Sequence, residues 1–543
     1  MLKPLTHEQQ QWVDATFNSM TWDEKIGHLL CPEDQNYTPE EWLAIQREVP
    51  LGSAFLSFLP AERPLACVRV LQQAARIPLL IASDLENGAG CIIDGLTEFP
   101  RPIAAGAAGD LDFVRQMGRI TAREGRSVGV HWTFSPVVDL NVNFQNPVTN
   151  VRSLGDRPAA VSRLAAAWIE GMQASGEMAA TAKHFPGDGM DDRDQHFCTS
   201  VNSCTMKQWR RTYGRVWQAA IHAGVLSIMV GHISLPAYEG LEKEPARALP
   251  ATLNPRLQID LLRDELDFDG VIVSDAAPMI GITSRVRSDE EALQNILSGS
   301  DVFLFAKPHQ DFAYLKRAFV QGRLTPQRID QSVRRVLEMK ARFGLHRSVQ
   351  ASPVGAVELQ ANQAVAEELA ERSITLLRAN AHTPVSLAPM ARLLTVTVTY
   401  YNWRKDAQRW LPAVDGALRS RGFQVDHLDN PDSAVLREKA PDYAMLFVNV
   451  VIYPHAMFGT LRMTGQMMNI FWGAFYVDHP NVVFTSFGSP YLLYEQPHLP
   501  NLYLAYGHSR ASQLAAVKAW LGEIKPGGRA PVKMLPKMVA TKG

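Results

Sequence analysis

The chain has 543 residues with an ordinary apolar content of 46%, and it balances 54 Lys and Arg against 55 Asp and Glu. That length exceeds what one compact core usually serves, so two domains, or a large barrel with a smaller partner, are expected. The even charge balance offers no field for nucleic acid or an anionic membrane, and no apolar run is long enough to read as a membrane span.

The opening stretch, MLKPLTHEQQQWVDATF, has no basic region leading into an apolar one, which predicts a cytoplasmic protein. The cysteines Cys31, Cys67, Cys91, Cys198 and Cys204 are odd in number and form no CxxC pair, so they read as reduced thiols. Strand-like runs then follow at 51–58, 78–83, 131–140, 179–185, 225–232, 270–275 and 301–306, with helical patterns between them. Such alternation implies parallel βαβ units, and seven or eight of them favour a (β/α)8 TIM-like barrel over residues 1–345. Thr325 and Pro326 read as the cap and first residue of a long closing helix, and Gly344 as its stop. Residues 346–357 read as a linker. Six further strand-like runs within 358–543, separated by helices, predict a smaller doubly wound α/β sandwich domain.

Several barrel runs end in ionisable residues: Asp84, Asp139, Lys183 with His184, His232 and Asp275. A single one is unremarkable as a helix cap, whereas a set pointing one way suggests a polar pocket at the carboxyl-terminal face. Asp275, closing GVIVSD, has the position of a nucleophile, a general base, a metal ligand or a cap for the next helix. The stretch KHFPGDGMDDRDQH, from Lys183 to His196, turns abruptly polar after an apolar run. Asp194 and His196, two apart on an irregular loop, suit a carboxylate that fixes one imidazole nitrogen and leaves the other for proton transfer. Two other readings compete. Asp188, Asp191, Asp192, Asp194 and His196 are possible metal ligands, although calcium-loop and zinc spacings are absent, and the loop is also polar enough to be a solvated acidic surface.

KHFPGDG followed by DQH and, about eighty residues on, GVIVSDA resembles glycoside hydrolase family 3. DLENGAG, TEFPRPIAAGAAGD, NVRSLGDRP, IMVGHI and LSGSDVFLF match in order, and SITLLRAN and TSFGSPYLL extend the likeness into the second domain. The resemblance implies a retaining exo-glycosidase in which Asp275 is the nucleophile and Asp84, Arg152, Lys183 and His184 bind the glycone. The DQH arrangement is similar to the β-N-acetylglucosaminidase branch, which makes His196 the acid/base and Asp194 its partner. Asp188 and His232 join the expected substrate-binding set. The branch's Arg-containing EGGR-like segment is replaced here by Glu86-Asn87-Gly88-Ala89-Gly90-Cys91-Ile92, which argues against muramyl substrates. Other readings are a β-glucosidase, a glycoside phosphorylase and a catalytically silent sugar-binding protein. The expected partner is a carbohydrate, with no cofactor or metal. A loop at 453–467, with His455 and Arg462, is a candidate to touch substrate, and Glu495 is a rival acid/base.

Overall fold

The computed structural model describes residues 2–57, 62–347, 352–381, 383–400, 410–454 and 459–534. Contacts divide the chain into a first unit of 1–97, 114–140 and 158–362 and a second unit of 98–113, 141–157 and 363–543.

In the first unit the strands of the ring are β1 Leu30–Pro32, β2 Ser53–Phe55, β3 Leu80–Ser83, β4 Trp132–Thr133, β5 Ala179–Phe185, β6 Ser227–Val230, β7 Val271–Ser274 and β8 Phe303–Ala306. From β2 to β7 each strand pairs in parallel with the next, and β8 pairs in parallel with β1. Parallel bridges Glu33–Phe55 and Val273–Val302 join the two sets, so the strands follow in chain order round a closed TIM-like ring. β1 is the strand that hydropathy does not announce. The closing helix is Pro326–Arg342, capped by Thr325 as expected.

The interior of the ring is a packed core rather than a pore. Leu80 and Ala82, Trp132 and Phe134, and Val271 and Val273 meet in one buried cluster with Cys31 and Phe55. Burying each large apolar side chain contributes about 1.5–3 kcal/mol. Alternation along a strand fixes what comes next: residues two beyond the core layer face inward as well. At the amino-terminal ends of the strands sits a buried polar pair. His28 donates from Nδ1 to the Glu24 carbonyl at 2.7 Å, so its Nε2 accepts from Lys340 Nζ at 2.9 Å. Burial drives the Lys340 amine well below the ordinary lysine range.

The second unit is built on β9 Thr375–Arg378, β10 Arg392–Thr399, β11 Gln424–Asp429, β12 Met445–Val451, β13 Val482–Ser486 and β14 Leu502–Leu504. Their order is β9-β14-β13-β12-β10-β11, parallel except for the antiparallel edge strand β9. The five parallel strands thus have a doubly wound order with its switch between β10 and β12. Two excursions from the barrel sequence belong to this unit. The helix Pro102–Ala108 sends Ile103, Ala104 and Ala107 into one core with Leu394, Val396 and Val448. Gly106 permits the approach, because a Cβ there would stand 2.1 Å from the Leu154 carbonyl oxygen. Part of the expected linker is also held rather than free: Arg123 donates to the carbonyls of Ser352 and Pro353 at 2.8 and 3.1 Å, and the helix Ala356–Ser373 begins inside it. Among the described residues no helix is long and apolar enough to cross a membrane.

The buried amine makes a stability prediction. Burial holds the Lys340 amine well below the ordinary lysine range in the fold, whereas the unfolded chain takes up that proton near pH 10, so between the folded and unfolded values the unfolded state binds more protons. Across that window the native protein should lose about 1.4 kcal/mol per pH unit on acidification relative to Lys340→Met. Denaturant midpoints of both proteins from pH 9 to pH 6 test this, and parallel curves would show that Lys340 is charged in the fold.

Candidate active site

The inward rows of the barrel end in charge. Asp84 lies two residues beyond Ala82, Lys183 four beyond Ala179, and Asp275 two beyond Val273, so all three continue the core-facing register above the apolar layer. Asp275 Oδ1 accepts from the Ala276 N–H at 2.8 Å, and its buried Oδ2 has no hydrogen-bond partner among the described residues. Burial pushes this carboxyl upward. The His184 imidazole first, with His232, the Ala276 N–H and His196, outweighs it, and the group lies below its ordinary value. An ionised carboxylate with one bare oxygen has the chemistry to act as a nucleophile.

At the end of β5, Lys183 Nζ spans Asp84 Oδ1 at 2.9 Å and Glu86 Oε1 at 2.8 Å. The Lys183 side chain is 3% exposed and that of Asp84 41%, so Asp84 is the open face of this pair. His184 donates from Nδ1 to Asp139 Oδ2 at 2.7 Å, and the same carboxylate accepts from the His184 and Asp188 backbone N–H groups at 3.1 and 2.7 Å. Asp139 therefore holds both the side chain and the main chain at the turn out of β5. Gly187 follows with φ of +126°, and a Cβ there would meet the Tyr213 ring at 2.2 Å. The Pro186 carbonyl takes two indole N–H bonds, from Trp209 at 2.9 Å and Trp217 at 3.1 Å. The loop is irregular in φ and ψ yet firmly anchored.

The segment that follows carries the dyad. His196 Nδ1 lies 2.6 Å from Asp194 Oδ1, which also accepts the His196 backbone N–H at 2.9 Å. A carboxylate at Nδ1 places the proton there and leaves Nε2 as the working nitrogen. The His196 side chain is 27% exposed, against 4% for Asp194. Neighbouring carboxylates are already employed in the loop: Asp191 accepts from the Arg193 guanidinium and from the Val201 N–H. Among the described residues no three of His, Cys, Asp and Glu are grouped as a metal ion would need.

The first unit thus brings together Asp84, Lys183, His184, Asp188, Asp194, His196 and Asp275. Asp188 is 2% exposed, and its Oδ1 accepts the next backbone N–H, that of Gly189, at 2.6 Å. His232, expected to touch substrate, is 0% exposed, with both ring nitrogens bonded to protein, Nδ1 to the Thr252 hydroxyl and Nε2 to the Ala276 carbonyl. Arg152 belongs to the second unit, where it donates to the Val148 carbonyl at 3.3 Å. His455 lies outside the described residues. Arg462 is occupied by Glu495 at 2.8 Å, and that carboxylate also accepts the Met463 N–H at 2.9 Å, which ties up the rival acid/base. Glu86 and Gln195 are residues that the sequence did not place in the site, and Asp139 was placed at the pocket without a role. Asp139 was visible as a strand-end carboxylate, whereas Gln195 carries no signal beyond its place between Asp194 and His196.

Residues 21–339 match the family model described as glycosyl hydrolase family 3 N terminal domain. A β-N-acetylglucosaminidase/β-glucosidase of Cellulomonas fimi is 35% identical over 546 residues, spanning 96% of this chain and 95% of its own. A β-hexosaminidase of Vibrio cholerae is 28% identical over 298 residues, or 53% of this chain and 83% of its own. Among solved structures, a β-glucoside phosphorylase superposes with a TM-score of 0.87 at 30% identity and 97% coverage of both chains. A family 3 β-N-acetylglucosaminidase from Paenibacillus sp. str. FPU-7 gives 0.82 at 25% identity, covering 96% of this chain and 100% of that one.

Replacing Asp139 by Asn turns an N–H toward donors that need an acceptor. We expect a loss of about 1–3 kcal/mol of stability, read from denaturant midpoints, together with a large fall in kcat/KM on any substrate the protein turns over. Unchanged kinetics would show that His184 does not depend on Asp139.

Proposed function

The chain belongs to glycosyl hydrolase family 3 and is a glycoside hydrolase, and from that premise we propose that it removes a terminal β-linked N-acetylglucosamine by a retaining double displacement. Asp275 Oδ2 attacks the anomeric carbon as the bond to the leaving oxygen breaks, and His196 Nε2–H gives that oxygen its proton. Water, deprotonated by the same imidazole, then releases the sugar from Asp275. The observation that carries the reading is the 2.6 Å Asp194–His196 dyad on the loop that follows the glycone-side residues. Asp84, with Lys183 and His184 behind it, is assigned to the glycone hydroxyls. Carboxylates outnumber cations in this part of the first unit, which suits a transition state with positive charge building on the sugar ring. The free cysteines suit a reducing compartment, and we assign the protein to the cytoplasm.

A second reading rests on the β-glucoside phosphorylase likeness over 97% of the chain. Phosphate would then take the place of water in the second step. An imidazole acid/base, uncharged when it acts as base, does not repel a phosphate dianion as a carboxylate would.

Release of nitrophenol from matched β-N-acetylglucosaminide and β-glucoside, with and without inorganic phosphate, separates these readings. Preference for the acetamido sugar, insensitive to phosphate, is the expected result. Preference for the glucoside would overturn the glycone assignment, and formation of a sugar 1-phosphate would replace hydrolysis by phosphorolysis. Asp275→Asn should abolish turnover without unfolding. His196→Ala should cost poor leaving groups about 10²-fold or more and activated phenols far less; equal losses on both would remove His196 from the acid/base role.

A further inference from the structure

Resting on the nucleophile and acid/base assignments above, we infer that His232 is a positioning residue that fixes the backbone beside Asp275 and fastens the acid/base loop to it. Its ring is wholly buried, so it cannot touch substrate. Nε2 lies 3.0 Å from the Ala276 carbonyl, which can only accept, so Nε2 carries the proton. Nδ1 then holds a lone pair and accepts from the Thr252 hydroxyl at 3.0 Å. Hydrogen bonding alone therefore selects one neutral tautomer, and burial, the larger influence, pushes the imidazole below its ordinary range despite the nearby Asp275.

The main chain of the same residue clasps the other half of the machinery. His232 N–H donates to Gln195 Oε1 at 3.1 Å, and the His232 carbonyl accepts from the Ser200 N–H at 3.1 Å. Gln195 sits between Asp194 and His196, so the dyad is gripped from within. Two direct links support the connection: Ile280 N–H to the His196 carbonyl at 2.9 Å, and the Thr199 hydroxyl to the Gly281 carbonyl at 2.9 Å. The facing backbones meet closely at Gly281, where a Cβ would stand 2.6 Å from the Gln195 carbonyl oxygen and 2.7 Å from His232 Cβ. With Ala276 held by its carbonyl, its N–H is aimed at Asp275 Oδ1, and Oδ2 is left bare for attack. Nucleophile and acid are thereby set at one spacing before substrate arrives.

Two substitutions of similar polarity separate this from a space-filling role. Gln places an N–H near Nε2 of the imidazole and keeps the bond to Ala276, whereas Asn reaches only as far as Nδ1 and loses it. On the preferred aryl glycoside, His232→Asn should lower kcat by about 30–100-fold, for activated and poor leaving groups alike, and His232→Gln should stay within about fivefold of the native enzyme. Binding of a competitive glycone analogue should change by less than about twofold in both, and both limbs of the pH–rate profile should stay in place, since His232 exchanges no proton with substrate. Equal activity of the Asn and Gln variants, analogue binding that weakens in step with kcat, or loss of a pH limb would each overturn the inference. Should His232→Asn fail to fold, Thr252→Val carries the test, because it leaves the imidazole and removes the hydroxyl that holds its Nδ1. A fall in kcat with analogue binding intact is expected there, and native kcat would overturn the inference. Asp275→Asn, assayed alongside, distinguishes the failures: turnover surviving in it defeats the nucleophile assignment and this inference with it, whereas a dead Asp275→Asn beside a fully active His232→Asn defeats this inference alone.

Discussion

A carboxylate that is almost wholly removed from water, and has one oxygen without a hydrogen bond, must be kept ionised by what surrounds it. Asp275 meets that requirement through a short N–H bond from Ala276 to one oxygen, with the His184 imidazole first among the groups that lower the carboxyl. Much of the first unit is arranged to make this possible. The apolar layer of Val271 and Val273 lifts Asp275 to the mouth of the ring in the inward register, and Gly231 leaves space for His184, since a Cβ there would lie 3.0 Å from that residue's own Cβ. Each histidine is then assigned one acceptor: Asp139 for His184, Asp194 for His196 and the Ala276 carbonyl for His232. An acceptor at one nitrogen dictates what the other can do, so tautomer and chemistry are set together.

The pairing of an aspartate with an imidazole also changes the electrostatics of a double displacement. Two carboxylates facing one sugar must keep one of them protonated against burial and mutual repulsion. In the mechanism proposed above, with His196 as the acid, the protonated partner is a cation that stabilises Asp275 instead of repelling it. Asp194 keeps that cation from being isolated, and at 4% exposure it is itself too buried to be a free acid competing for the leaving group. The remaining charge near the glycone side is negative overall, with Lys183 shared between Asp84 and Glu86. Such a pocket gains most when positive charge develops on the substrate, which is the direction of glycosidic bond cleavage.

Much of this was legible in the chain. The barrel runs at 78–83, 179–185, 270–275 and 301–306 announce themselves because parallel strands buried on both faces are continuously apolar, and their polar ends mark the mouth of the barrel. The six runs of the second unit read equally well. β1 escaped because Leu30–Pro32 is three residues long and is followed at once by Glu33 and Asp34, so no window of alternation exists. The segments 98–113 and 141–157 read as barrel sequence because hydropathy reports that Ile103 and Val151 are buried, not which core receives them. His232 was placed among the substrate contacts because a polar residue after an apolar strand looks the same from sequence whether it faces the mouth or the neighbouring loop. The structure shows the difference in the bonds its ring nitrogens make to Thr252 and Ala276.

The two ends of the barrel solve opposite problems with similar residues. Lys340 and His28 are buried without a carboxylate, and the cheapest state for such a pair is uncharged, with the amine donating to the imidazole. Lys183 and His184 are nearly as buried, yet each has a carboxylate within hydrogen-bond distance. The difference lies in the strand register rather than in residue type. Where a strand begins, its flanking residues close the floor against the helix Pro326–Arg342; where it ends, the following turn is free to bring in Asp84, Glu86 or Asp139. A barrel built from parallel strands puts all of its ends on one face, and carboxylates from separate loops accumulate there without any one loop having to carry them. The charge balance of the whole chain, close to neutral, conceals that segregation, because like-signed groups at the mouth are offset by arginines elsewhere on the surface. The same residue types thus support folding at one face and chemistry at the other, and what separates the two roles is the nearest acceptor.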